Sequence, residues 1–594
     1  MSDYQAPLQD IQFLLQDVLG LGDIAQLPGY EQATDDIVEA VLAEGSRFFG
    51  EVIAPTNRDA DEAGSKVVDK KVVAAPGLKE AYTAMVQGGW PGLAGNAEYG
   101  GQGMPHLLGA ALDEMCQSAN LAFSLCPLLG KGVIAALENY GSDEQKQFYL
   151  PKLISGEWAG TMNLTEPQAG TDLAAIRTKA VPQDDHYLIT GQKIYITWGD
   201  HDFTDNIIHL VLARTPDAPE GVKGISLFIV PKNLHDENGA TTEANDLYPV
   251  SVEHKMGIHA SPTCVLSYGD EGGAMGYLVG EENQGLKYMF AMMNHARMSV
   301  GLQGVSVGER AYQQARQYAR DRVQGEMIGV DGRVPIIKHP DVRRMLMLMR
   351  SQIEAGRVLA YEAAAHVDKS LHNPDEKQAA FHQRRVDLLT PLVKGWCTEM
   401  AQEVTYLGVQ IHGGMGFVEE TGAAQHQRDA RILPIYEGTN GIQALDLIGR
   451  KLLKDQGKSL QELAAEFQKT LAQVEAAGKP LREIHKGLGQ ALYASDKAIR
   501  HIFTNVMADW SFPGAVSFNL LMLLGTTAAG SLLAQSALAA QAKLDAGDGD
   551  AQFYKNKLIT ARFFAEQVLP RTLGYMQAII SGHEATMELA EDQF

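Results

Sequence analysis

The sequence predicts a mainly helical chain with one central β-domain. Apolar residues recur at i, i+3 and i+4 in residues 78–90 (LKEAYTAMVQGGW) and 143–158 (DEQKQFYLPKLISGEW), a spacing typical of amphipathic helices. From about residue 161 to 279, short runs of β-branched and aromatic residues replace this spacing, and turn residues separate the runs. Helical spacing returns at Gly285. The predicted order is therefore helices, a β-domain, a helical bundle and a further helical block.

Length supports a division into four parts. The chain has 594 residues, and at about 150 residues per domain roughly four domains are expected. The pattern changes place an N-terminal helical domain at residues 1–158 and a β-domain at residues 159–280. A helical-bundle domain is expected at residues 281–452, and a C-terminal helical extension at residues 453–594.

Three runs define the predicted strands of the β-domain. They are residues 186–197 (HYLITGQKIYIT), 206–215 (NIIHLVLART) and 224–231 (GISLFIVP). In the extension, residues 511–542 carry no charge, but they contain many Ala, Ser, Thr, Asn and Gln residues. We interpret that run as a buried helix of a soluble bundle rather than a membrane contact, and we expect no transmembrane segment.

Composition limits the classes of function. Hydrophobic residues make up 45% and charged residues 21%, an ordinary globular balance. The formal net charge is -23, from 50 basic and 73 acidic residues. Such a charge repels phosphate backbones, which argues against nucleic-acid binding but is compatible with a basic protein partner.

The N-terminus and the cysteines indicate the compartment. The first twenty residues lack a basic stretch and a cleavage site, so they do not form a signal peptide. The four cysteines form no CxxC pair, which indicates neither a zinc site nor a disulfide framework. We therefore expect a cytoplasmic protein.

Several common catalytic motifs are absent from the sequence. No GxGxxG follows a predicted strand, and neither GxxxxGK[ST], HExxH nor GxSxG occurs. His254 and His259 are five residues apart in a β-region, and we interpret them as surface or structural histidines, so no metal site is expected.

Four stretches carry candidate functional residues. They are residues 162–173 (MNLTEPQAGTDL), 191–199 (GQKIYITWG), 409–417 (VQIHGGMGF) and 432–443 (ILPIYEGTNGIQ). Alternation places Tyr195 and Thr197 on one face of a strand, and the glycines after residue 412 let the backbone approach a ligand closely. Taken singly, each stretch is typical of a turn, a strand, a capped helix or a loop. The lone Glu437 is compatible both with a solvated turn acid and with a base aimed at a substrate.

In this order and spacing, the four stretches resemble the acyl-CoA dehydrogenase family. The resemblance covers about residues 8–451. The helical tail is similar to the extension of larger bacterial members, such as fatty-acyl-CoA and 3-methylmercaptopropionyl-CoA dehydrogenases. The resemblance implies an N-terminal helical domain, a β-barrel-like middle domain, a C-terminal four-helix bundle and an extra C-terminal helical domain.

The resemblance implies that FAD is the cofactor. The positions that match the family's FAD contacts are Thr165, Tyr195, Thr197, Arg322, Gln324, Gln410, Gly413, Gly414 and Thr439. In the family the arginine matched by Arg322 reaches the FAD of the neighbouring subunit, which implies a homo-oligomer. The extension fills space where smaller members pair into tetramers, so we expect a homodimer. At four positions the chain carries a residue that differs from the one found in many relatives: Gln168, Thr171, Trp198 and Pro340.

The resemblance also assigns the chemistry. Glu437 matches the family's catalytic base, with Tyr436 and Gly438 on the substrate side. Arg297 matches the arginine along the CoA arm, and Thr171 matches a substrate-side hydroxyl. Some relatives carry the base on the helix of this arginine, but residues 291–306 here contain no acid, so Glu437 has no rival there.

The implied function is α,β-dehydrogenation of acyl-CoA to trans-2-enoyl-CoA, the first step of fatty-acid β-oxidation, with electrons passed to an electron-transfer flavoprotein. Medium- to long-chain straight acyl groups are favoured, with a short-chain or 3-methylmercaptopropionyl group as the alternative. Two other possibilities remain open. One is an acyl-CoA oxidase, and the other is a nucleic-acid-binding relative, which the absence of a basic cluster in the tail disfavours.

Overall fold

The computed structural model describes residues 4–236, 238–506 and 509–594, and most of them lie in helices. The α-helices are α1 (Leu8–Phe13), α2 (Leu21–Ile24), α3 (Asp35–Phe48), α4 (Thr56–Ala63), α5 (Leu78–Gln87), α6 (His106–Ala119), α7 (Leu121–Tyr140), α8 (Asp143–Ser155), α9 (Gly285–Asp321), α10 (Pro340–His372), α11 (Glu376–His412), α12 (Ala423–Ala430), α13 (Asn440–Asp446), α14 (Lys458–Ala476), α15 (Arg482–Asn505), α16 (Phe512–Ala546), α17 (Ala551–Gln567) and α18 (Arg571–Ser581).

Most of the strands lie between α8 and α9, as the sequence predicts. The strands are β1 (Lys66–Val68), β2 (Lys71–Val73), β3 (Ala159–Asn163), β4 (Lys179–Pro182), β5 (Tyr187–Thr197), β6 (Ile207–Ala213), β7 (Ser226–Pro231), β8 (Asn233–His235), β9 (Thr241–Ala244), β10 (Leu247–Val252), β11 (Thr263–Tyr268), β12 (Ala274–Leu278), β13 (Val323–Glu326) and β14 (Arg333–Pro335).

The chain divides into two compact units. The β unit consists of Arg47–Met104 and Met115–Ser299. The helical unit consists of residues 4–46 together with Pro105–Glu114 and Val300–Phe594. The boundaries of the four predicted domains stay a prediction.

An eight-stranded sheet forms the centre of the β unit. Its order is β10-β11-β5-β12-β7-β6-β3, with β4 also paired to β5. Strands β3 and β6 are parallel, and the other neighbours are antiparallel. Strand β6 is buried throughout because both of its faces are covered. Leu210 packs in the core with α7 and α8, whereas Val211 packs on the opposite face with Phe228 and Leu266.

The C-terminal extension packs onto the bundle inside the helical unit. α10 and α11 form a helical hairpin, and α16 packs against both of them as well as against α15, α17 and α18. Glycines permit the close approach of α11 and α16: a Cβ on Gly525 would lie 2.5 Å from the Cβ of Trp396. The indole nitrogen of Trp396 also donates a hydrogen bond of 3.0 Å to the hydroxyl of Thr526.

The uncharged run of the extension is a long, mostly buried helix. By length and composition alone, Leu121–Tyr140 and Phe512–Ala546 could each cross a membrane, with hydropathies of 1.5 and 1.6 over their most apolar windows. However, 61% and 83% of those windows are buried within the protein. Such burial is typical of core helices, as predicted for residues 511–542.

Two short hairpins lie outside the predicted β-domain and were not predicted from the sequence. β1 pairs with β2 through Asp69 and Lys70, whose φ angles are 49° and 59°. This left-handed pair is typical of a type I′ turn, but the sequence lacks the usual Asn-Gly signal. The second hairpin, β13–β14, encloses the loop of residues 327–332 in the helical unit. Strands of three or four residues are too short to show a reliable alternation.

Candidate active site

A buried ion pair fixes the predicted flavin-contacting segment onto the sheet. The ammonium of Lys193, on β5, is fully buried and donates hydrogen bonds of 2.9 Å to Glu166 and 3.0 Å to the carbonyl of Leu164. The carboxylate of Glu166 also accepts from the hydroxyl of Thr178 at 2.6 Å. A backbone hydrogen bond of 2.9 Å joins Ile194 to Thr165. Thr165 is therefore held beside the strand that carries Tyr195 and Thr197.

The carboxyl group of Glu166 stays ionised in this setting. Burial alone would raise its pKa above the usual 4.5, but Lys193 and Thr178 outweigh burial and lower the pKa to about 2. A carboxylate that accepts several donors cannot change its position without losing them. The segment is therefore rigid where the family makes its flavin contact.

Strand β5 is bulged where Tyr195 and Thr197 lie. Its register with β11 shifts between Cys264 and Leu266, and Tyr195 has a φ of 58°. The Tyr195 side chain is 60% exposed, whereas Ile196 between the two predicted residues is buried. The two side chains therefore flank a core residue, but a bulge replaces the regular alternation used to predict them.

Trp198 adds a second strained position next to this bulge. Its φ is 51°, and its buried indole nitrogen donates a hydrogen bond of 3.0 Å to the carbonyl of Ala122 on α7. A left-handed bulky residue costs about 1–3 kcal/mol and persists only when its surroundings hold it. Such positions concentrate at ligand sites, which supports the placement of a site at this end of β5.

Two further predicted residues lie elsewhere in the β unit. Thr171 is exposed, in the loop where Asp172 caps the short 3₁₀-helix Leu173–Ala175. Arg297 lies on α9 and is 8% exposed. The structure thus groups Thr165, Tyr195 and Thr197 around the bulge of β5, whereas Thr171 and Arg297 lie on other segments of the unit.

In the helical unit, Glu437 lies in the loop between α12 and α13. It is half-buried, with a φ of 56°, and Gly438 follows with a φ of 85°. The side-chain amide of Gln443 donates to the carbonyls of Glu437 and Gly438 at 3.3 and 3.4 Å. Thr439 caps α13 by accepting a hydrogen bond of 3.3 Å from Ile442. The side chain of Glu437 thus extends from a sharply turned backbone, and the hydrogen bonds of Gln443 and Thr439 hold that backbone in place.

Tyr436 ties this loop to α9. Its phenol donates a short hydrogen bond to the side-chain carbonyl of Gln303, which is fully buried. Burial, Glu437 and Asp429 all raise the pKa of Tyr436, so the phenol remains neutral. Within the described part of the chain, the amide nitrogen of Gln303 has no hydrogen-bond partner.

The predicted pyrophosphate-binding glycines follow the end of α11. Gly413 has a φ of 60°, and a Cβ on Gly413 or Gly414 would meet no atom of the chain within 4 Å. The φ of Gly414 is not positive, so neither backbone conformation nor packing within this chain requires a glycine there. Gln410 and both glycines are exposed, and Phe417 is 87% exposed. This leaves open space at the end of the helix.

The end of α9 lies beside this glycine segment. The rings of Tyr318 and His412 lie 4.4 Å apart and are tilted by 31°. Arg322 and Gln324 follow Tyr318 in the chain, and both are exposed. The carbonyl of Gln324 is bonded to the imidazole of His339 at 2.8 Å. The structure therefore brings the segments of Arg322 and Gly413 together in the helical unit.

Sequence reasoning missed the residues that hold these segments in place. They are Lys193 and Glu166 in the β unit, and Gln303 and Lys394 in the helical unit. Lysine and glutamate are mostly solvated, so a pattern-based analysis treats them as surface residues. The only available signal was the position of Lys193 between strand-forming apolar residues. Across the described ranges, no group of three or more His, Cys, Asp or Glu is arranged to hold a metal ion.

Four family models match the chain in succession. They are described as the acyl-CoA dehydrogenase N-terminal domain (residues 36–157), middle domain (161–270) and C-terminal domain (283–453), and as acetyl-CoA dehydrogenase C-terminal like (463–590). The matched stretches run through most of the chain, including the helical extension.

Two curated relatives match over nearly their full length. The 3-methylmercaptopropionyl-CoA dehydrogenase of Ruegeria pomeroyi is 51% identical, over 95% of this chain and 96% of the relative. The broad-specificity linear acyl-CoA dehydrogenase FadE5 of Mycobacterium tuberculosis is 35% identical, over 100% of both chains. An acyl-CoA dehydrogenase of Bacillus anthracis, solved in complex with FAD, shares the fold with a TM-score of 0.75 and 21% identity, over 99% of this chain and 94% of the other.

Proposed function

Because this chain belongs to the acyl-CoA dehydrogenase family, an oxidoreductase family, we propose that it oxidises an acyl-CoA thioester to the trans-2-enoyl-CoA with Glu437 as the catalytic base. The observation that carries the proposal is the backbone of Glu437. Glu437 is half-buried and has a φ of 56°, and hydrogen bonds from Gln443 to its backbone carbonyl and from Tyr436 to Gln303 hold its loop on both sides. A turn acid with no function does not require this strain.

The reaction suits a single carboxylate. The thioester carbonyl acidifies the α-carbon only weakly, so a positioned base must remove that proton. Glu437 accepts the α-proton on a carboxylate oxygen, and the bond from Cα to hydrogen breaks as the double bond forms. Tyr436, held neutral, cannot compete for the proton as a base.

The cofactor of the proposed reaction is FAD, which accepts the β-hydrogen as hydride when it is bound. The residues fit such a group. The open space beside Gly413 and Gly414 admits a pyrophosphate close to the backbone. Tyr195 and Thr197, on the strained end of β5, and Thr165, which is held beside that strand, would contact the flavin ring. Thr439, Gln410 and Arg322 supply further polar contacts, and Arg297 and Thr171 are assigned to the substrate.

For the acyl group, we favour the thioether substrate that the sequence left as an alternative. The 51% identical relative is a 3-methylmercaptopropionyl-CoA dehydrogenase and is matched over almost its whole length. A medium- to long-chain straight acyl group is the second candidate, since a 35% identical relative is named a broad-specificity linear acyl-CoA dehydrogenase. β-Oxidation is the role that the second candidate implies.

An acyl-CoA series tests both the reaction and the substrate. Adding substrate to the yellow protein is expected to bleach its flavin band near ~450 nm. The decisive pair is 3-methylmercaptopropionyl-CoA and pentanoyl-CoA, which have the same chain length and differ only by sulfur in place of a methylene. We expect kcat/KM to favour the thioether by about tenfold, the scale of one buried contact. A preference for octanoyl- or palmitoyl-CoA would support the second candidate, and no bleaching by any of them would reject the reaction.

The proposed assembly is a homodimer in which Arg322 completes the partner's FAD site. Phe417 and Met415 are exposed beside the glycine segment, and exposed apolar clusters are typical of interfaces. Sedimentation is expected to show a dimer. Arg322→Ala is expected to weaken FAD retention by about 10–100-fold, because charge-assisted contacts to phosphate contribute about 1.5–3 kcal/mol. Arg320→Ala, an exposed change in the last turn of α9 two residues before Arg322, is the control. A monomer with full FAD content would contradict this.

We further propose that the electrons pass to an electron-transfer flavoprotein and that the protein acts in the cytoplasm. The family match supports the first statement, and the sequence features described above support the second. Reoxidation of the reduced protein by air as fast as by the flavoprotein would instead favour an acyl-CoA oxidase.

A further inference from the structure

The loop that carries Glu437 ends in a buried anchor on α11. Asn440, the first residue of α13, is 3% exposed. Its amide nitrogen donates hydrogen bonds of 2.8 Å to Glu399 and 2.9 Å to the hydroxyl of Thr398. Its side-chain carbonyl accepts a hydrogen bond of 2.8 Å from the ammonium of Lys394. Both ends of the amide are thereby fixed, and so is its orientation.

The anchor closes the loop through the backbone as well. The backbone nitrogen of Asn440 donates a hydrogen bond of 3.0 Å to the carbonyl of Pro434, which spans Glu437. On the N-terminal side, Tyr436 is bonded to Gln303. Glu437, between these two attachments, adopts the left-handed conformation that costs about 1–3 kcal/mol. The anchor supplies restraint at the C-terminal end of the strained segment.

Packing alone does not explain Lys394. Its side chain is fully buried, among buried apolar neighbours on α11 that include Val393 and Trp396. A buried cation costs several kcal/mol unless it is hydrogen-bonded, and an apolar residue of similar length would fill the same space. The ammonium of Lys394 makes a contact that an apolar residue could not make, because it donates a hydrogen bond to the side chain of Asn440.

We propose that Asn440 and Lys394 are positioning residues for the base: they hold the backbone of Glu437 so that its carboxylate reaches the α-proton. The inference rests on the proposed function, since it assigns a role through Glu437. Neither residue needs to touch the substrate. A displacement of about 1 Å at a reacting group costs about 100-fold in rate, so small losses of restraint are measurable.

The test compares Asn440→Ala with the wild-type protein in flavin reduction by acyl-CoA. We expect kcat to fall about 10–100-fold, while KM, FAD content and the affinity for a non-reacting acyl-CoA analogue change less than about twofold. Lys394→Met, which keeps the length of the side chain without its charge, is expected to lower kcat in the same direction. It serves as the second variant if Asn440→Ala does not fold. Leu445→Ala, an exposed truncation on α13, is the matched control and should keep the wild-type kcat.

A double-mutant cycle with Glu437→Gln separates positioning from a general loss of structure. If Asn440 acts through the base, Asn440→Ala should cost nothing further in the Glu437→Gln background, because the group it positions is gone. An equal loss of kcat in both backgrounds, or a wild-type kcat in Asn440→Ala, would overturn the inference while leaving the base assignment intact. A wild-type rate in Glu437→Gln alone would instead reject the proposed function.

Discussion

Glu437→Gln is expected to lower the rate of flavin reduction by about 10²–10⁴-fold, the usual scale for a positioned general base. Glutamine keeps the size of the side chain and its polar contacts but cannot accept the α-proton. The variant should therefore fold, retain FAD and bind acyl-CoA with wild-type affinity. Stopped-flow measurement of the flavin absorbance reports the chemical step directly. Glu475→Gln, the same change at an exposed position on α14, should leave that rate unchanged.

Near-wild-type flavin reduction by well-folded Glu437→Gln would show that Glu437 is only a turn acid. The next carboxylate to test would then be Asp429, on α12. It is buried, and its charge helps to raise the pKa of Tyr436, the residue before Glu437. The part of α9 around Arg297 offers no substitute, because residues 291–306 contain no acid. A loss of rate that follows a loss of stability across variants would also argue against the base assignment.

Periodicity was sufficient to predict the order of the elements. The runs predicted at residues 206–215 and 224–231 correspond to Ile207–Ala213 and Ser226–Pro231, and the uncharged run corresponds to the buried helix Phe512–Ala546. Long elements with one or two buried faces repeat their pattern often enough to be recognised. The hairpins β1–β2 and β13–β14 do not, because each strand has only three or four residues.

The motifs select candidate site residues, which stay a prediction, but they do not show how the chain holds those residues in place. The motifs identify Glu437 and Tyr195, yet nothing in them indicates a left-handed backbone, whose usual sequence signal is glycine, asparagine or aspartate. The supports of these positions, Lys193–Glu166 and Lys394–Asn440, are polar groups that fold into the interior. Their burial depends on contacts between segments distant in sequence, and local patterns carry no information about such contacts.

The largest stability effect is expected at a buried ionic cluster that joins the extension to the bundle. Arg357, on α10, pairs with Glu114 and Asp10 at 2.7 Å and with Glu309 at 2.8 Å. Lys557, on α17 of the extension, is 1% exposed at its side chain and pairs with Asp10 and, at 2.7 Å, with Glu354. Lys557 of the extension thus supplies positive charge that compensates two buried carboxylates, Asp10 on α1 and Glu354 on α10.

Lys557→Met is expected to lower the free energy of unfolding of the helical unit by about 3 kcal/mol. Removing one partner of a buried ion pair costs about 3–5 kcal/mol, because the remaining charge stays buried without compensation. The lower end of this range applies here, because in the variant Asp10 is still paired with Arg357 and Glu354 is still paired with Arg350. Denaturant unfolding monitored by circular dichroism measures the change. Lys555→Met, the same substitution at an exposed position of α17, is the control and should stay within about 0.5 kcal/mol.

The pH dependence of unfolding identifies the cause of that loss. Burial would raise the pKa of Asp10 above 3.8, but Lys557 and Arg357 outweigh burial and lower it to about 2. A carboxylate with a lowered pKa contributes stability that is fully present above its unfolded value, near 3.8, and lost as the pH falls through about 2. Because Lys557→Met removes one of these cations, the pKa of Asp10 rises and less of this acid-sensitive stability remains to be lost. The stability difference between wild-type and variant should therefore narrow as the pH falls from about 4 to about 2. A difference that is independent of pH would argue against the ion pair with Asp10 as the cause of the loss, because Lys557→Met keeps the length of the side chain and removes only the ammonium.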